Sequence, residues 1–140
     1  MNILVTGCNG QLGNEFQKIA RFDIEHNWLF TDIDTLDICK EDSIKHFFTE
    51  NNVEICINCA AYTAVDKAED DENTAREINA FAVKKLANVC KSHNSLLIHI
   101  STDYVFDGSS VRPYLEDDEV SPNSIYGKTK AEGEQYIIKS

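Results

Sequence analysis

Short apolar runs alternate along the chain with longer segments of helical periodicity. Four runs read as buried strands, namely NILVT (2–6), WLFTD (28–32), VEICINCA (53–60) and SLLIHIS (95–101). This alternation is typical of repeated βα units, which build a parallel sheet. The pattern therefore predicts an α/β fold of the Rossmann type, a doubly wound parallel sheet with helices on both faces.

Between these runs, apolar residues recur at the three- and four-residue spacing of helices. Helices are predicted at 11–20, 41–52 and 72–93, with a last one from Tyr126 toward Ile138. The inward residues are expected to be Ile44, Phe47 and Phe48 in the second helix, and Ile78, Phe81, Ala82, Leu86 and Val89 in the third.

Residues 107–124 are rich in Ser and Asp, contain both prolines and are predicted to form the one long loop. Loops of this length in compact domains are more often functional than idle. The chain stops after a helix that needs a sheet beneath its apolar face. We therefore expect residues 1–140 to form one NAD(P)-binding domain of a longer protein, without its carboxyl-terminal substrate part.

The stretch TGCNGQLG follows the first predicted strand and opens the first helix. Gly7 permits a tight turn, Gly10 lets a diphosphate approach the backbone, and Gly13 permits close helix packing. The helix N-terminus adds free N–H groups and partial positive charge. This context predicts a dinucleotide-binding loop, whose candidate residues are Gly7, Asn9, Gly10, Gln11, Leu12 and Gly13.

Asp32 ends the second predicted strand, 22 residues after Gly10. An acidic residue at about this spacing binds the adenosine ribose hydroxyls. Its carboxylate would disfavour a 2′-phosphate, so Asp32 favours NADH. The alternative is an acidic loop residue without this role, since Asp34 and Asp37 lie nearby.

Tyr126 and Lys130 would share one face of the last helix, four residues apart. A nearby ammonium stabilises a phenolate, and reduction of a ketone needs a proton donor beside the hydride donor. Thr102, at the carboxyl end of the fourth strand, could donate a hydrogen bond to the same carbonyl oxygen. The alternatives are a solvated helix face for the Tyr126 and Lys130 pair and a capping role for Thr102.

The formal net charge of −11 disfavours binding to nucleic acid or to anionic membranes. Five cysteines without the dense spacing of a disulfide scaffold suit a reducing cytosol. Cys56 and Cys59 lie in one apolar run and should point to opposite faces of a strand, and no second ligand pair follows, so no metal site is expected. With no leader-like pattern and no apolar run long enough for a membrane span, we expect a soluble cytoplasmic protein.

Four motifs in this order resemble the extended short-chain dehydrogenase/reductases, and within them the dTDP-4-dehydrorhamnose reductases. They are TGCNGQLG, NCAAYTAVDKAE (58–69), STDYVFDG (101–108) and SPNSIYGKTKAEGE (121–134). The resemblance implies an enzyme that uses a nicotinamide hydride to reduce the 4-keto group of dTDP-4-dehydro-L-rhamnose, in nucleotide-sugar and polysaccharide biosynthesis. A homodimer is compatible with it.

By this resemblance Tyr126 would be the proton donor, Lys130 would hold the nicotinamide ribose and Thr102 would polarise the keto oxygen. Asn79 matches a helix asparagine that ties strands together in these enzymes, and we interpret it as structural. The remaining residues implied for the cofactor are Ala60, Ala61 and Tyr62 beside the glycine loop, with Asp37 and Ile38 at the adenine. Those implied for the sugar are Val65, Thr102, Tyr104, Val105 and Phe106.

The resemblance leaves some questions open. Family members commonly accept NADPH, which conflicts with Asp32, so NADPH and NADH both remain candidates. Magnesium is linked with some members, by resemblance only. A related dehydratase or epimerase would share the scaffold, but dehydratases typically carry Asp and Glu after the threonine, where this chain has Asp103 and Tyr104. A regulatory dinucleotide-binding subunit is the other alternative.

Overall fold

A computed structural model describes residues 1–140 and contains one four-stranded parallel sheet. The strands are β1 (Asn2–Thr6), β2 (Asn27–Thr31), β3 (Ile55–Asn58) and β4 (Leu96–His99). Their order is β2-β1-β3-β4, so the chain crosses from one side of β1 to the other after β2. The predicted parallel fold is confirmed, and the reversal of strand order beside β1 creates a crevice at the carboxyl ends of the strands.

The helices that connect the strands are α1 (Gln11–Ala20), α2 (Glu41–Asn51), α3 (Val65–Ala68), α4 (Glu72–Arg76), α5 (Ala82–Ser92) and α6 (Ile125–Ile138). A π-helical segment (Glu77–Phe81) joins α4 to α5, and a short 3₁₀ helix (Asp103–Val105) follows β4. Between the 3₁₀ helix and α6 there is no helix or strand, so the predicted long loop is confirmed.

Two apolar clusters cover the two faces of the sheet. On one face Leu4 and Cys56 pack with residues of α2 and α5, among them Phe48 and Leu86, all fully buried. On the other face the cluster of Ile3, Val5 and Ile57 packs against Phe16 of α1. Since neighbouring strand residues point to opposite faces, this division places α1 opposite α2 and α5, as the doubly wound prediction requires.

The predicted helix 72–93 is not one uniform α-helix. The π-helical segment interrupts it, and such a segment holds one more residue per turn than the flanking helix. A single helical period predicts that Phe81 points inward. That prediction is wrong, because Phe81 is 37% exposed. Ala82, Leu86 and Val89, beyond the segment, are buried as predicted.

One face of the edge strand β4 is open. Leu96 and Ile98 are 57% and 41% exposed, although their register partners Ile55 and Ile57 in β3 are covered at least in part. The helix α1 packs over β1 and β3 and leaves Leu12 and Ile19 exposed as well. The apolar surface of this side of the sheet thus continues beyond the part that α1 covers.

All five cysteines are free. Cys56 belongs to the cluster under α2 and α5, whereas Cys59 packs against the cluster under α1, so their side chains point to opposite faces as predicted. None of the helices is long and apolar enough to pass through a membrane.

Candidate active site

A cleft of ≈ 590 Å³ lies at the carboxyl ends of the strands. Its lining comes from the segments that follow all four strands and from one face of α6. The lining residues are Gly7, Gly10, Gln11, Leu12, Asp32, Ile33, Leu36, Asp37, Ile38, Cys39, Cys59, Ala60, Ala61, Thr63, Ile78, Ile100, Ser101, Tyr126 and Lys130. This is the position at which ligands bind in open α/β sheets.

The glycine loop forms one end of the cleft. Gly7 has a φ of +64°, and a Cβ there would lie 2.6 Å from the Ala60 nitrogen, so the turn after β1 requires glycine. A Cβ on Gly13 would lie 2.5 Å from the Cα of Cys8, which confirms the predicted close packing of α1 on the loop. Gly10 caps α1 without a side-chain hydrogen bond, and no acidic residue stands in the first turn. The N-terminus of α1 therefore keeps N–H groups and partial positive charge for an anionic ligand.

Asp32 lies in the cleft beside this loop. Its Oδ2 accepts a hydrogen bond of 2.9 Å from the Asn9 backbone N–H, and its Oδ1 accepts one of 2.8 Å from the Ile33 N–H. A carboxylate has about four acceptor sites. Asp32 is thus held in place and keeps acceptor capacity for ligand hydroxyls.

Asp37 and Ile38 line the cleft on the β2 side, as the resemblance implies. Burial alone would raise the pKa of Asp37. The hydrogen bond from the Cys39 N–H and the nearby Lys40 ammonium outweigh burial, so the pKa of Asp37 is lowered. Ile38 is buried and gives this part of the cleft an apolar wall.

The segment after β3 is tied to α6 through Asn79. The Asn79 amide accepts a hydrogen bond from the Tyr62 N–H (2.9 Å) and donates to the Tyr62 carbonyl (3.1 Å) and to the Thr129 hydroxyl (3.2 Å). The expected structural role of Asn79 is confirmed, although its partners lie in a loop and a helix and not in strands. The π-helical segment places this buried side chain between Tyr62 and α6, and thereby positions Ala60 and Ala61 in the cleft.

Tyr126 and Lys130 both open into the cleft from α6, so the solvated-face alternative is wrong. The hydroxyl of Ser124 caps the helix by accepting from the Gly127 N–H (3.0 Å). Lys130 is only 2% exposed, and its Nζ donates to the Ile100 carbonyl (2.5 Å) and lies 3.3 Å from His99 Nε2. Loss of hydration on burial lowers the pKa of Lys130 to about 8, although the Glu134 carboxylate opposes this shift.

The residues expected near the sugar do not line this cleft. Thr102 caps the 3₁₀ helix by accepting from the Tyr104 N–H (3.2 Å), which confirms the capping alternative as one of its roles. Tyr104 and Phe106 line a neighbouring pocket of ≈ 440 Å³. Val105 is 3% exposed, so its side chain supports this region from behind, and Val65, at the start of α3, is partly buried. The Tyr104 and Tyr126 rings meet edge to face at 5.7 Å and join the two pockets.

Among the predicted cofactor residues, Asn9, Gly13 and Tyr62 do not line the cleft themselves but contact residues around it. The Asn9 N–H holds Asp32, Gly13 packs against Cys8, and Tyr62 is bound by Asn79. Several lining residues were not predicted, among them Cys59, Ile78 and Ile100. The rule that ligands bind beyond strand ends would have found Cys59 and Ile100, whereas Ile78 reaches the cleft only because of the π-helical segment.

No group of three or more His, Cys, Asp or Glu side chains lies close enough together to hold a metal ion. The magnesium suggested by the resemblance therefore has no support in these residues. The glycine loop, Asp32, Tyr126 and Lys130, by contrast, all line one cleft.

Comparison with known proteins agrees with this geometry. The family model described as the RmlD substrate binding domain matches residues 1–140. A dTDP-4-dehydrorhamnose reductase from Aggregatibacter actinomycetemcomitans is 39% identical over 136 residues, covering 97% of this chain and 46% of the relative. The chain thus spans about half the length of the curated relatives it matches.

Two solved structures are similar over 99% of the chain. The dTDP-4-dehydrorhamnose reductase of Clostridium acetobutylicum has a TM-score of 0.96 and 46% identity, and 49% of it is covered. The enzyme of the same name from Bacillus anthracis, solved in complex with NADP, has a TM-score of 0.94 and 36% identity, again with 49% covered. The similarity extends over the whole sheet and the cleft.

Proposed function

The chain belongs to the RmlD substrate binding domain family, and from this premise we propose that it forms the dinucleotide-binding half of a reductase. The reaction is reduction of the 4-keto group of dTDP-4-dehydro-L-rhamnose to dTDP-L-rhamnose. One observation carries the proposal: Tyr126 and Lys130 open into the same cleft as the glycine loop.

The bound nicotinamide dinucleotide supplies a hydride to the carbonyl carbon of the sugar. Tyr126 donates its phenolic proton to the alkoxide that develops on the carbonyl oxygen. Lys130, buried beside the cleft, stabilises the resulting phenolate with its positive charge and offers an N–H to a ribose hydroxyl. The lysine therefore acts in binding and in the proton transfer.

Thr102 is suited to hold the same carbonyl oxygen. Its Oγ1 accepts from the Tyr104 N–H, while its own proton makes only a 3.3 Å contact with Asp103. That proton can turn toward a sugar oxygen near Tyr126. We place the sugar between the cleft and the pocket of Tyr104 and Phe106, with Val65 and Val105 supporting this side.

For the cofactor we propose a preference for NADH. The Asp32 carboxylate is fixed by two backbone N–H groups beside the glycine loop, which supports a role in binding the ribose hydroxyls. A 2′-phosphate would bring a second negative group against it. NADPH remains the alternative, since the Bacillus anthracis relative was solved with NADP.

The first experiment is calorimetric titration of residues 1–140 with NADH and with NADPH. The second is an assay of the whole protein on the dTDP-4-keto sugar, with and without Tyr126→Phe. We expect dinucleotide binding by the chain, and a loss of turnover of at least about a hundredfold in the variant, the usual contribution of a general acid.

Tyr126→Phe should leave dinucleotide affinity within a few-fold of the unsubstituted protein. Binding without turnover in the whole protein would instead indicate a regulatory dinucleotide-binding subunit. Absence of dinucleotide binding by both the chain and the whole protein would overturn the proposal altogether.

A further inference from the structure

A chain of hydrogen-bonded side chains runs beneath the cleft and ends at Lys130. The Thr6 hydroxyl lies 2.6 Å from the Asn58 amide oxygen, and the Asn58 amide nitrogen lies 3.0 Å from His99 Nδ1. His99 Nε2 in turn lies 3.3 Å from Lys130 Nζ. Thr6 and Asn58 are 1% exposed and Lys130 is 2% exposed, so water has little access to replace the hydrogen bonds between these groups. The reaction proposed above makes no use of Thr6, Asn58 or His99.

An ammonium has three N–H donors and no acceptor. Lys130 directs one donor to the Ile100 carbonyl, and His99 Nε2 is within reach of a second. The third is left for the cleft that Lys130 lines. The two contacts from the end of β4 thus determine where the last donor points.

We propose that His99 is a positioning residue of this site: its Nε2 accepts a hydrogen bond from the Lys130 ammonium and aims the remaining N–H at the bound ligand, while Asn58 holds the imidazole. The assignment of a role in the reaction rests on the proposed function, but the contact itself does not.

The hydrogen bonds of the imidazole follow from this assignment. If Nε2 accepts from an ammonium, the single proton of neutral His99 must sit on Nδ1 and must point at an acceptor. That acceptor is the Asn58 amide oxygen, which requires the amide to be turned by about 180° from its orientation in the structure, where the oxygen faces the Thr6 hydroxyl and the nitrogen faces Nδ1. In the turned amide the nitrogen donates to the Thr6 hydroxyl. In the unturned orientation the amide nitrogen donates to Nδ1, which puts the proton on Nε2, opposite Lys130. Only an uncharged Lys130 would accept that proton.

Few ionisable groups compete for Lys130. His99 faces it from the end of β4, and Tyr126 and Glu134 lie on α6 itself. Three charged residues near α6 have other partners: Arg76 pairs with Glu132, Lys84 lies over the Tyr136 ring, and Glu69, just after α3, accepts from the Ile125 N–H. Asp103 of the 3₁₀ helix contacts the Thr102 hydroxyl. Burial and the Lys130 charge lower the pKa of His99 to about 3, so His99 is a neutral acceptor at neutral pH.

The contact can be tested on the chain alone by nitrogen-15 NMR of the histidine rings at pH 7. Free imidazole favours a proton on Nε2, so the expected Nδ1–H form of His99 is diagnostic. Observation of the Nε2–H form at pH 7 would overturn the proposal.

A matched pair of variants separates positioning from packing. His99→Gln places an amide oxygen near the position of Nε2, and His99→Met has similar length without that acceptor. A hydrogen bond to the charged form favours it, so the NMR titration midpoint of Lys130 should be lower in His99→Met than in His99→Gln by about one pH unit. Equal midpoints in the two variants would contradict the proposal.

In the whole protein, the alkaline limb of the pH profile of kcat/KM should move to lower pH in His99→Met and be restored in His99→Gln. If His99→Met and His99→Gln are both active and their kcat/KM profiles have the same alkaline limb, His99 has no role in the reaction. If the unsubstituted protein shows no turnover, the proposed function fails while the NMR result still decides the Lys130 contact.

Discussion

At the scale of single residues, the site depends on a few polar groups held by backbone atoms. Asp32 is fixed by the N–H groups of Asn9 and Ile33, and Lys130 by the carbonyl of Ile100. A backbone N–H or carbonyl keeps its position when neighbouring side chains change rotamer. The side chains of Asp32 and Lys130 are therefore held in place before a ligand binds. Such preorganisation lowers the entropic cost of binding.

Asp32→Asn should reverse the preference between the two dinucleotides. Loss of a charged acceptor for the ribose hydroxyls should weaken NADH binding by about tenfold, since hydrogen bonds to charged groups contribute about 1.5–3 kcal/mol. NADPH should bind more tightly once the like charge is gone. Calorimetry on the chain checks both, with Asp34→Asn, an exposed neighbour outside the cleft, as the control. Unchanged affinities would show that Asp32 is only an acidic loop residue.

His99 makes the stability of the chain depend on pH in the acid range. Its folded pKa of about 3 lies below the usual 6.5, so below pH 6.5 the unfolded state binds a proton that the folded state does not. Its contribution to stability is therefore present above pH 6.5 and is lost as pH falls toward 3. Between pH 7 and 5 the loss should be on the order of 2 kcal/mol.

Urea unfolding at pH 7, 6 and 5 checks this prediction. His99→Gln carries no titrating group, so its free energy of unfolding should fall less than that of the unsubstituted chain over this range. The carboxylates titrate in both proteins, so their effect on the free energy of unfolding is the same and does not contribute to the difference. Parallel curves would show that His99 does not titrate with a depressed pKa.

At the scale of elements, the π-helical segment between α4 and α5 has the largest effect on the site. It turns Asn79 into the interior and Ile78 toward the cleft, while Phe81 is left exposed. A Cβ on Gly133 of α6 would lie 2.3 Å from the Asn79 carbonyl oxygen, so the two elements approach backbone to backbone. The orientation of α6, and hence of Tyr126 and Lys130, depends on this contact.

Asn79→Ala should destabilise the chain by about 3 kcal/mol, because the Tyr62 N–H and carbonyl would lose their partner in a partly buried position. The loop that carries Ala60 and Ala61 should loosen, and dinucleotide affinity should fall with it. Urea denaturation and calorimetry measure the two effects. Asn88→Ala, on the exposed side of α5, is the control and should change stability by less than about 0.5 kcal/mol. Similar effects of both substitutions would refute the role of Asn79.

At the scale of the whole molecule, the cleft is assembled from segments after all four strands and from α6. A ligand seated there binds the folded chain and has no comparable site in the unfolded one. Its binding must therefore stabilise the entire fold by mass action.

NADH at one hundred times its dissociation constant should raise the free energy of unfolding by about 2.7 kcal/mol. Gly10→Ala provides the contrast. Its backbone φ of −73° suits alanine and the added Cβ would lie 3.3 Å from the Gly7 carbonyl oxygen, so the fold should survive while the methyl group obstructs the diphosphate. Thermal unfolding with and without NADH checks this. If NADH stabilises Gly10→Ala as much as the unsubstituted chain, the diphosphate does not bind at Gly10.

The periodicity of the chain alone identified the parallel sheet, α1, α2, α6 and the long loop. A buried strand reads as a continuous apolar run and a helix as a 3.6-residue period, and both signals are local. The glycine loop was equally readable, because the turn at Gly7 and the packing of Gly13 allow no side chain.

The relation between distant segments was decided only by the tertiary structure. The π-helical segment lies where Asn79 contacts α6, and nothing in the spacing of residues 72–93 records that contact. His99 reads as an ordinary strand residue until α6 places Lys130 3.3 Å from its ring. The sequence thus determined the elements and the residue types that chemistry requires, because those are properties of neighbouring residues. The partners of Asn79, His99 and Lys130 depended on which faces pack together, which is a property of the folded chain.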